Sequence, residues 1–427
     1  MGVAFSFIHA ADLHLDSPFK GMGSAPDYVK ERLRDSTFAA LRRLVAIAKQ
    51  ERVDFIVLSG DLYDAADRSL RAQLKLQRAL TELTEEGIDV FIVHGNHDPL
   101  SGRQAKLDVP SGVHVCGAEG VECIPAHTRN GELVAHVYGI SYATSAVNQN
   151  LAQRFKVKGG APFHLAILHA NVDGNASHDN YAPCQLQELV DSGFQYWALG
   201  HIHDRRVLHE YPHVVYAGNI QGRSIRETGE KGIYLVSVSS SGAITLDFRE
   251  VADVVWQEVS VTIDGLEREQ QLKERLLRSM DELVKRSSGR PVVMRFRIEG
   301  RGVLHERLME SIVVDEWLEE LREWSSDGEY SLDTWIWPDA ISVRSGGLLQ
   351  LEATAEEDGF VGELVRMGIA GVSSPESARD WLMDAMDKTR SQPKIREWVA
   401  ARSDEELIQL LQQAMELSVS LLKEDEE

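Results

Sequence analysis

The sequence predicts an α/β protein, and three observations carry the prediction. Short apolar runs rich in β-branched and aromatic residues recur through the first 250 residues, helical patterns separate the early runs, and each run ends in a polar cluster. Residues 5–10, 55–58 and 90–93 read as buried strands. Between them, residues 28–50 place Leu33, Phe38, Leu41, Leu44 and Val45 at helical spacing, and residues 70–86 do the same with Leu74, Leu76, Leu80 and Leu83. Strands alternating with helices build a layered domain. Further runs at 164–168 and 196–199 extend it. Residues 232–238 and 243–251, joined across Ser239, Ser240, Ser241 and Gly242, read as a hairpin that closes a first domain over residues 1–252.

From residue 253 the pattern changes to a strand (254–263), a long charged helix (266–286), a turn at Ser288, Gly289 and Arg290, and a strand (291–298). An amphipathic helix around 303–324 and a strand around 333–337 complete a smaller α+β domain, expected over residues 253–345. Residues 346–427 are helical in pattern and acidic, with Pro375 and Pro393 as punctuation. There Leu407, Leu410, Leu411, Ala414, Leu417 and Leu421 form a stripe that suits a small bundle or a docking element.

At 427 residues the chain exceeds what one hydrophobic core usually serves. Its 43% hydrophobic and 26% charged residues are ordinary for a globular protein, and no apolar run approaches the roughly 18 residues of a membrane span. The opening apolar run is too short for a signal-peptide core and has no basic flank, so a cytoplasmic location with no membrane partner is expected. Cys116, Cys123 and Cys184 show no Cys-x-x-Cys spacing and read as reduced, buried thiols. The net charge of −22 is uneven: residues 1–250 hold 24 Lys+Arg against 29 Asp+Glu, the remainder 21 against 38. Nucleic-acid binders normally carry a basic stripe, so composition argues mildly against one, mainly for the C-terminal part. Bound divalent cations reverse the potential of an acidic site.

The polar clusters at the strand ends form a metal-ligand inventory. Asp12 and His14 lie two apart, which in an extended segment turns both to one side, and His201 and His203 repeat the spacing. Asp61, Asn96 and His169 add three ligands. Seven oxygen and imidazole donors suit two divalent ions sharing a carboxylate, and Asp61, after Gly60 on a sharp turn, is the natural bridge. The absence of thiolate favours manganese, with iron or zinc as alternatives. Two such ions clamp a phosphoryl group and activate water, so the expected reaction is phosphoester hydrolysis. His97, beside Asn96 but turned away from the metals, faces the substrate as phosphate ligand or acid. Asp98 and Asp64 are expected to hold imidazoles in orientation. Isolated histidines such as His114, His127, His136, His209, His213 and His305 read as surface or core residues.

Asp12-Leu13-His14, Gly60-Asp61-Leu62-Tyr63-Asp64, Gly95-Asn96-His97-Asp98, His169 and Gly200-His201-Ile202-His203 resemble the five motifs of the calcineurin-like metallophosphoesterases. Within that superfamily the chain is most similar to the SbcD-type DNA repair nucleases, and to their YhaO-like branch. The branch features are Asp16-Ser17-Pro18-Phe19, His178-Asp179-Asn180-Tyr181-Ala182-Pro183, Tyr216-Ala217-Gly218-Asn219 and the segment 227–232. The resemblance implies a β-sandwich flanked by helices, two manganese ions, and cleavage of DNA phosphodiesters with an SbcC-like coiled-coil ATPase. It assigns one ion to Asp12, His14, Asp61 and His203, and the other to Asp61, Asn96, His169 and His201. It makes residues 253–345 a capping domain and the helical tail an ATPase-docking segment. His178, Asn219, Arg223 and Arg226 are candidate substrate contacts, and a homodimer is compatible with this reading. Two alternatives use the same residues differently. A phosphatase or small-nucleotide phosphodiesterase would share the metals, although protein phosphatases of the superfamily typically carry Arg-Gly after the second motif and Glu at the end of the third, where this chain has Asp64-Ala65 and Asp98. A non-catalytic scaffold would be expected to have lost ligands, and all seven are present.

Overall fold

The computed structural model describes residues 2–424 except 20–21, 65–68, 103–104, 106, 175–178, 328–333, 349–350, 374–375, 378, 380 and 382–402. His178, Pro375 and Pro393 therefore lie outside the described residues. The chain divides into two compact units. Residues 1–259, 278–296 and 318–341 form the first, and residues 260–277, 297–317 and 342–427 the second. Segments of the stretch 253–345 fall in both.

The first unit contains strands β1 (Phe5–Ala10), β2 (Phe55–Ser59), β3 (Asp89–Val93) and β4 (Val113–Val115), with helices α1 (Asp27–Gln50) and α2 (Leu70–Glu85) between the first three. Strands β5 (Glu122–His127), β6 (Leu133–Gly139) and β7 (His164–His169) follow. After the short α3 (Leu186–Val190) come β8 (Tyr196–Gly200), β9 (Arg206–Glu210), β10 (His213–Tyr216), β11 (Gly232–Val238) and β12 (Ile244–Glu250). They form two six-stranded sheets, ordered β12-β11-β1-β2-β3-β4 and β5-β6-β7-β8-β10-β9. The β1-β2-β3-β4 ladder is parallel, and the β11–β12 hairpin adds antiparallel beside β1. In the second sheet β6, β7, β8 and β10 are parallel and both edge strands antiparallel.

Alternation along each strand produces the layers. Phe5, Phe7, Phe55, Val57, Phe91 and Val93 point into the space between the sheets, where they meet Leu165, Ile167 and Tyr196. Their neighbours Ile8, Ile56, Leu58, Val90 and Ile92 point the other way, against Phe38, Leu41 and Leu44 of α1 and Leu76 and Leu80 of α2. The result is a β-sandwich with helices outside it. Because parallel strands share a direction, the C-terminal ends of β1, β2 and β3 lie along one edge, as do those of β7 and β8 in the other sheet.

A clasp fastens α1 to the segment after β12. Asp253 is 2% exposed at its side chain; it pairs with Arg32 Nε at 2.6 Å and Arg43 Nη2 at 2.7 Å, and its backbone N–H donates to Gln221 Oε1 at 2.7 Å. Removing one partner of a buried pair is costly, but the two arginines are 32% and 39% exposed and can recover hydration. Asp253→Ala is therefore expected to lower the unfolding free energy by about 2 kcal/mol, below the full cost of a fully buried pair. Urea denaturation measures this, and a midpoint unchanged from wild type would show the clasp to be inert.

Strands β13 (Val255–Thr262), β14 (Val292–Glu299) and β15 (Ile336–Val343) form a three-stranded sheet, with α4 (Glu269–Arg286) between the first two. The amphipathic stretch expected as one helix at 303–324 is two, α5 (His305–Met309) and α6 (Ser311–Asp327). The chain turns extended at Glu310 (ψ 111°), with no Gly or Pro to announce it. The last strand begins at Ile336, later than expected. In the second unit α7 (Leu351–Glu356), α8 (Phe360–Gly371) and α9 (Asp404–Glu424) are helical, and Gly368 and Gly371 let α8 approach Met415 and Leu411 of α9. Among the described residues no helix is long and apolar enough to cross a membrane.

Candidate metal centre

The loops after β1, β2, β3, β7 and β8 meet at one place in the first unit, and each delivers residues of one cluster. The loop after β1 continues alongside the loop after β2: the N–H of Asp12 donates to Gly60 O (3.1 Å), that of His14 to Asp61 O (3.0 Å) and that of Leu15 to Leu62 O (3.0 Å). Asp12 (φ 50°), His14 (φ 41°), Asp61 (φ 51°) and His201 (φ 98°) all have left-handed backbones. This corrects the expectation that an extended segment aims Asp12 and His14 together: left-handed turns pinned to the neighbouring loop do so. Such conformations cost on the order of 1–3 kcal/mol each and persist where the surroundings impose them.

Glycines make room for the convergence. A Cβ on Gly95 would strike Asp61 Oδ1, and one on Gly200 the Ser59 carbonyl.

Asp12, His14 and His203 each present a ligand atom within 4.8 Å of the others, and so do Asp12, Asp61 and His169. A third group joins His14 to Asp64 and His97. His169 Nδ1–H donates to Ser59 O at 2.9 Å, leaving Nε2 to face Asn96 Oδ1 at 2.9 Å and Asp61 Oδ2 at 3.4 Å. Similarly, His203 Nδ1–H donates to Glu227 Oε1 at 2.8 Å and His14 Nδ1 faces Asp64 Oδ1 at 3.1 Å. The two Nε2 atoms then meet at 3.1 Å. His201 donates from Nε2 to Asp179 O at 2.7 Å, which leaves Nδ1 with its lone pair, and its ring lies 5.2 Å from that of His169. Its backbone N–H donates to both oxygens of Asp12, at 3.1 and 3.2 Å.

Lone pairs aimed at a common point repel unless a cation lies between them. Burial drives His14 down to about 3, so its ring is neutral. Burial also opposes charge on His169, but the adjacent Asp61 outweighs it and lifts the imidazole to about 9. Asp61 would be raised by burial, yet the His169 charge beside it holds it below the usual carboxylate range, while burial raises Asp12. Two carboxylates, each 1% exposed, among inward-facing imidazole nitrogens and an amide oxygen form a donor set for hard to intermediate divalent cations. The residues fit such ions.

The remaining expected residues fall into three places. His97 is half-buried; its backbone N–H donates to Asp61 Oδ1 at 2.9 Å and its Nδ1–H to Asp64 O at 2.8 Å, so Nε2 is left for other chemistry. Asp98 is fully buried and accepts from His94 Nδ1 (2.8 Å) and from the N–H groups of Leu62 (2.9 Å) and Gly95 (2.8 Å). It thus ties two motif loops together, and the imidazole it holds is His94. Arg223 donates to Asp64 Oδ1 and to Glu227 Oε1 (3.2 Å), beside His203. Asn219, expected at the substrate, is instead 0% exposed; its amide donates to Gln221 O at 2.9 Å and Glu227 Oε2 at 2.8 Å, so it positions Glu227. Arg226 is exposed. Sequence reasoning gave no role to Glu227; a carboxylate in the segment following the His-x-His motif was the available signal.

Comparison with known proteins agrees with this geometry. The calcineurin-like phosphoesterase profile matches residues 5–205, and the profile of the middle domain of metallophosphoesterase YhaO matches residues 256–346. The uncharacterized metallophosphoesterase YhaO of Bacillus subtilis is 40% identical over 336 residues, covering 78% of this chain and 80% of the relative. The chain belongs to the YhaO-like branch of the calcineurin-like metallophosphoesterases. That family implies metal-dependent phosphoester hydrolysis at a dinuclear divalent centre. More distant relatives of this YhaO-like chain include the SbcD component of the nuclease SbcCD of Bacillus subtilis, 26% identical over 286 residues (59% of this chain, 68% of the relative). The DNA double-strand break repair protein Mre11 of Thermoplasma acidophilum is 26% identical over 248 residues (55% and 62%).

Proposed function

We propose that this chain is a cytoplasmic, two-manganese phosphodiesterase that cuts DNA in partnership with an SbcC-like coiled-coil ATPase. The observation that carries the reading is the pair of adjoining donor groups, Asp12 with His14 and His203 and Asp12 with Asp61 and His169, with buried Asp61 3.8 Å from His14 and 3.4 Å from His169 and His97 hydrogen-bonded to it. One ion would be held by Asp12, His14, Asp61 and His203, the other by Asp61, Asn96, His169 and His201. Two divalent ions in such a site lower the pKa of water, polarise the phosphoryl oxygens and steady in-line displacement.

The chain's own residues do the rest. Asp98 and the left-handed turns hold the ligands in place. His97, anchored through Nδ1–H on the Asp64 carbonyl, would as an imidazolium give its Nε2 proton to the oxygen that leaves as the P–O bond breaks, and end neutral. Arg226 is proposed to meet the substrate's phosphates, while Arg223, expected there as well, has its terminal nitrogens on Asp64 and Glu227. Relatives named as a nuclease component and as double-strand break repair proteins support DNA as the substrate class. Residues 253–345 would cap the site and 346–427 dock the ATPase, the acidic tail suiting a protein partner.

The test is hydrolysis by metal-stripped full-length chain reloaded with Mn2+. Bis-p-nitrophenyl phosphate should be turned over faster than the p-nitrophenyl monoester; the reverse preference would favour the phosphatase reading. DNA binding by the isolated chain should be weak: three or four phosphate contacts predict log affinity falling with log salt at a slope of about −3 to −4 on duplex. A slope near −8 would reveal a basic track that this composition does not suggest.

A further inference from the structure

The four imidazoles of the site are braced from behind in two different ways. His169 and His201 donate to main-chain carbonyls, Ser59 O at 2.9 Å and Asp179 O at 2.7 Å. His14 and His203 instead back onto carboxylates, Asp64 Oδ1 at 3.1 Å and Glu227 Oε1 at 2.8 Å. One guanidinium joins those carboxylates: Arg223 Nη1 donates to Asp64 Oδ1 and Nη2 to Glu227 Oε1 at 3.2 Å. Two further bonds fix the other oxygen of Glu227, from the Arg223 backbone N–H at 2.8 Å and from Asn219 Nδ2 at 2.8 Å. Asp64, Arg223 and Glu227 thus form an ionic frame around the pair of rings whose Nε2 atoms meet at 3.1 Å. The brace behind His169 is instead the end of a sheet strand.

We propose that Arg223 and Glu227 are positioning residues for one metal position only, the one formed by Asp12, His14 and His203. This rests on the two-metal reading above. Glu227, by accepting Nδ1–H of His203, fixes the tautomer that leaves Nε2 as ligand and makes it a better donor, while Asp64 sets its charge beside His14 Nδ1 without a hydrogen bond. Arg223 acts on both rings together, because its planar fork holds the two carboxylates at once, which a lysine ammonium does less well. The position of Asp61, Asn96 and His169 depends on backbone that no side-chain substitution removes. The two positions therefore differ in their response to mutation, although both share Asp61.

Calorimetric titration of Mn2+ into the metal-stripped full-length chain tests this, with the unfolding midpoint of each metal-free variant measured alongside. Wild type should bind two equivalents. Arg223→Met and Glu227→Gln should weaken one equivalent by roughly 10- to 100-fold and leave the other at its wild-type affinity. Arg223→Lys should fall between wild type and Arg223→Met, and it decides the matter if the larger change prevents folding. Equal weakening of both equivalents, or no change in either, overturns the inference while leaving the two-metal reading intact. Wild type that binds fewer than two equivalents would remove that reading and this inference with it.

Discussion

Replacing Asp61 by Ala is expected to abolish hydrolysis and to reduce bound metal from two ions to one or none. Asp61 is the carboxylate common to both proposed positions: its Oδ2 lies 3.4 Å from His169 Nε2 and 3.8 Å from His14 Nε2. Its Oδ1 also accepts the N–H of His97, so the same substitution loosens the residue assigned to the leaving group. The side chain is 1% exposed, and water cannot simply take its place. Emission spectrometry of dialysed protein counts the ions, and two per chain in Asp61→Ala would remove this residue from the bridging role.

His97→Ala should behave in the opposite way with respect to metal. His97 is not among the ligands assigned to either ion, and its Nδ1–H bond goes to a backbone carbonyl. Loss of acid assistance should slow turnover by about 10² to 10⁴-fold with both ions retained. The deficit should also shrink for substrates whose leaving group is already acidic, such as a p-nitrophenyl diester, because such an oxygen departs without a proton. Metal lost in parallel with activity would show that His97 is part of the coordination and not an acid.

Much of the sandwich was legible because a strand buried on both faces reads as a short continuous apolar run, as where Phe5, Phe7, Phe55, Val57 and Phe91 face one layer and Ile8, Ile56 and Ile92 the other. The two edge strands of the second sheet carry no such signal: β5 (Glu122–His127) holds a proline and is half exposed, and β9 (Arg206–Glu210) is short and largely exposed. The break at Glu310 was invisible because no breaker residue marks it. At the site, residue types at strand ends pointed to a metal-binding constellation, but spacing gave the wrong reason for the pairing of Asp12 with His14. The left-handed turns depend on hydrogen bonds to a loop nearly 50 residues away, which a local pattern does not contain. Glu227 and Asn219 escaped for a related cause: their roles arise from contact with His203 and with each other, and only the fold supplies that contact.

The most direct test of the central claim is release of nucleotides from end-labelled linear duplex DNA by the full-length chain, titrated with Mn2+ after complete chelation and run beside covalently closed circles. The account predicts cleavage that is absent without metal, rises only as the second equivalent of Mn2+ binds, and is lost in Asp61→Ala. Intact DNA at saturating Mn2+, with p-nitrophenyl monoester hydrolysed efficiently under the same conditions, would contradict it and assign the site to phosphomonoesters.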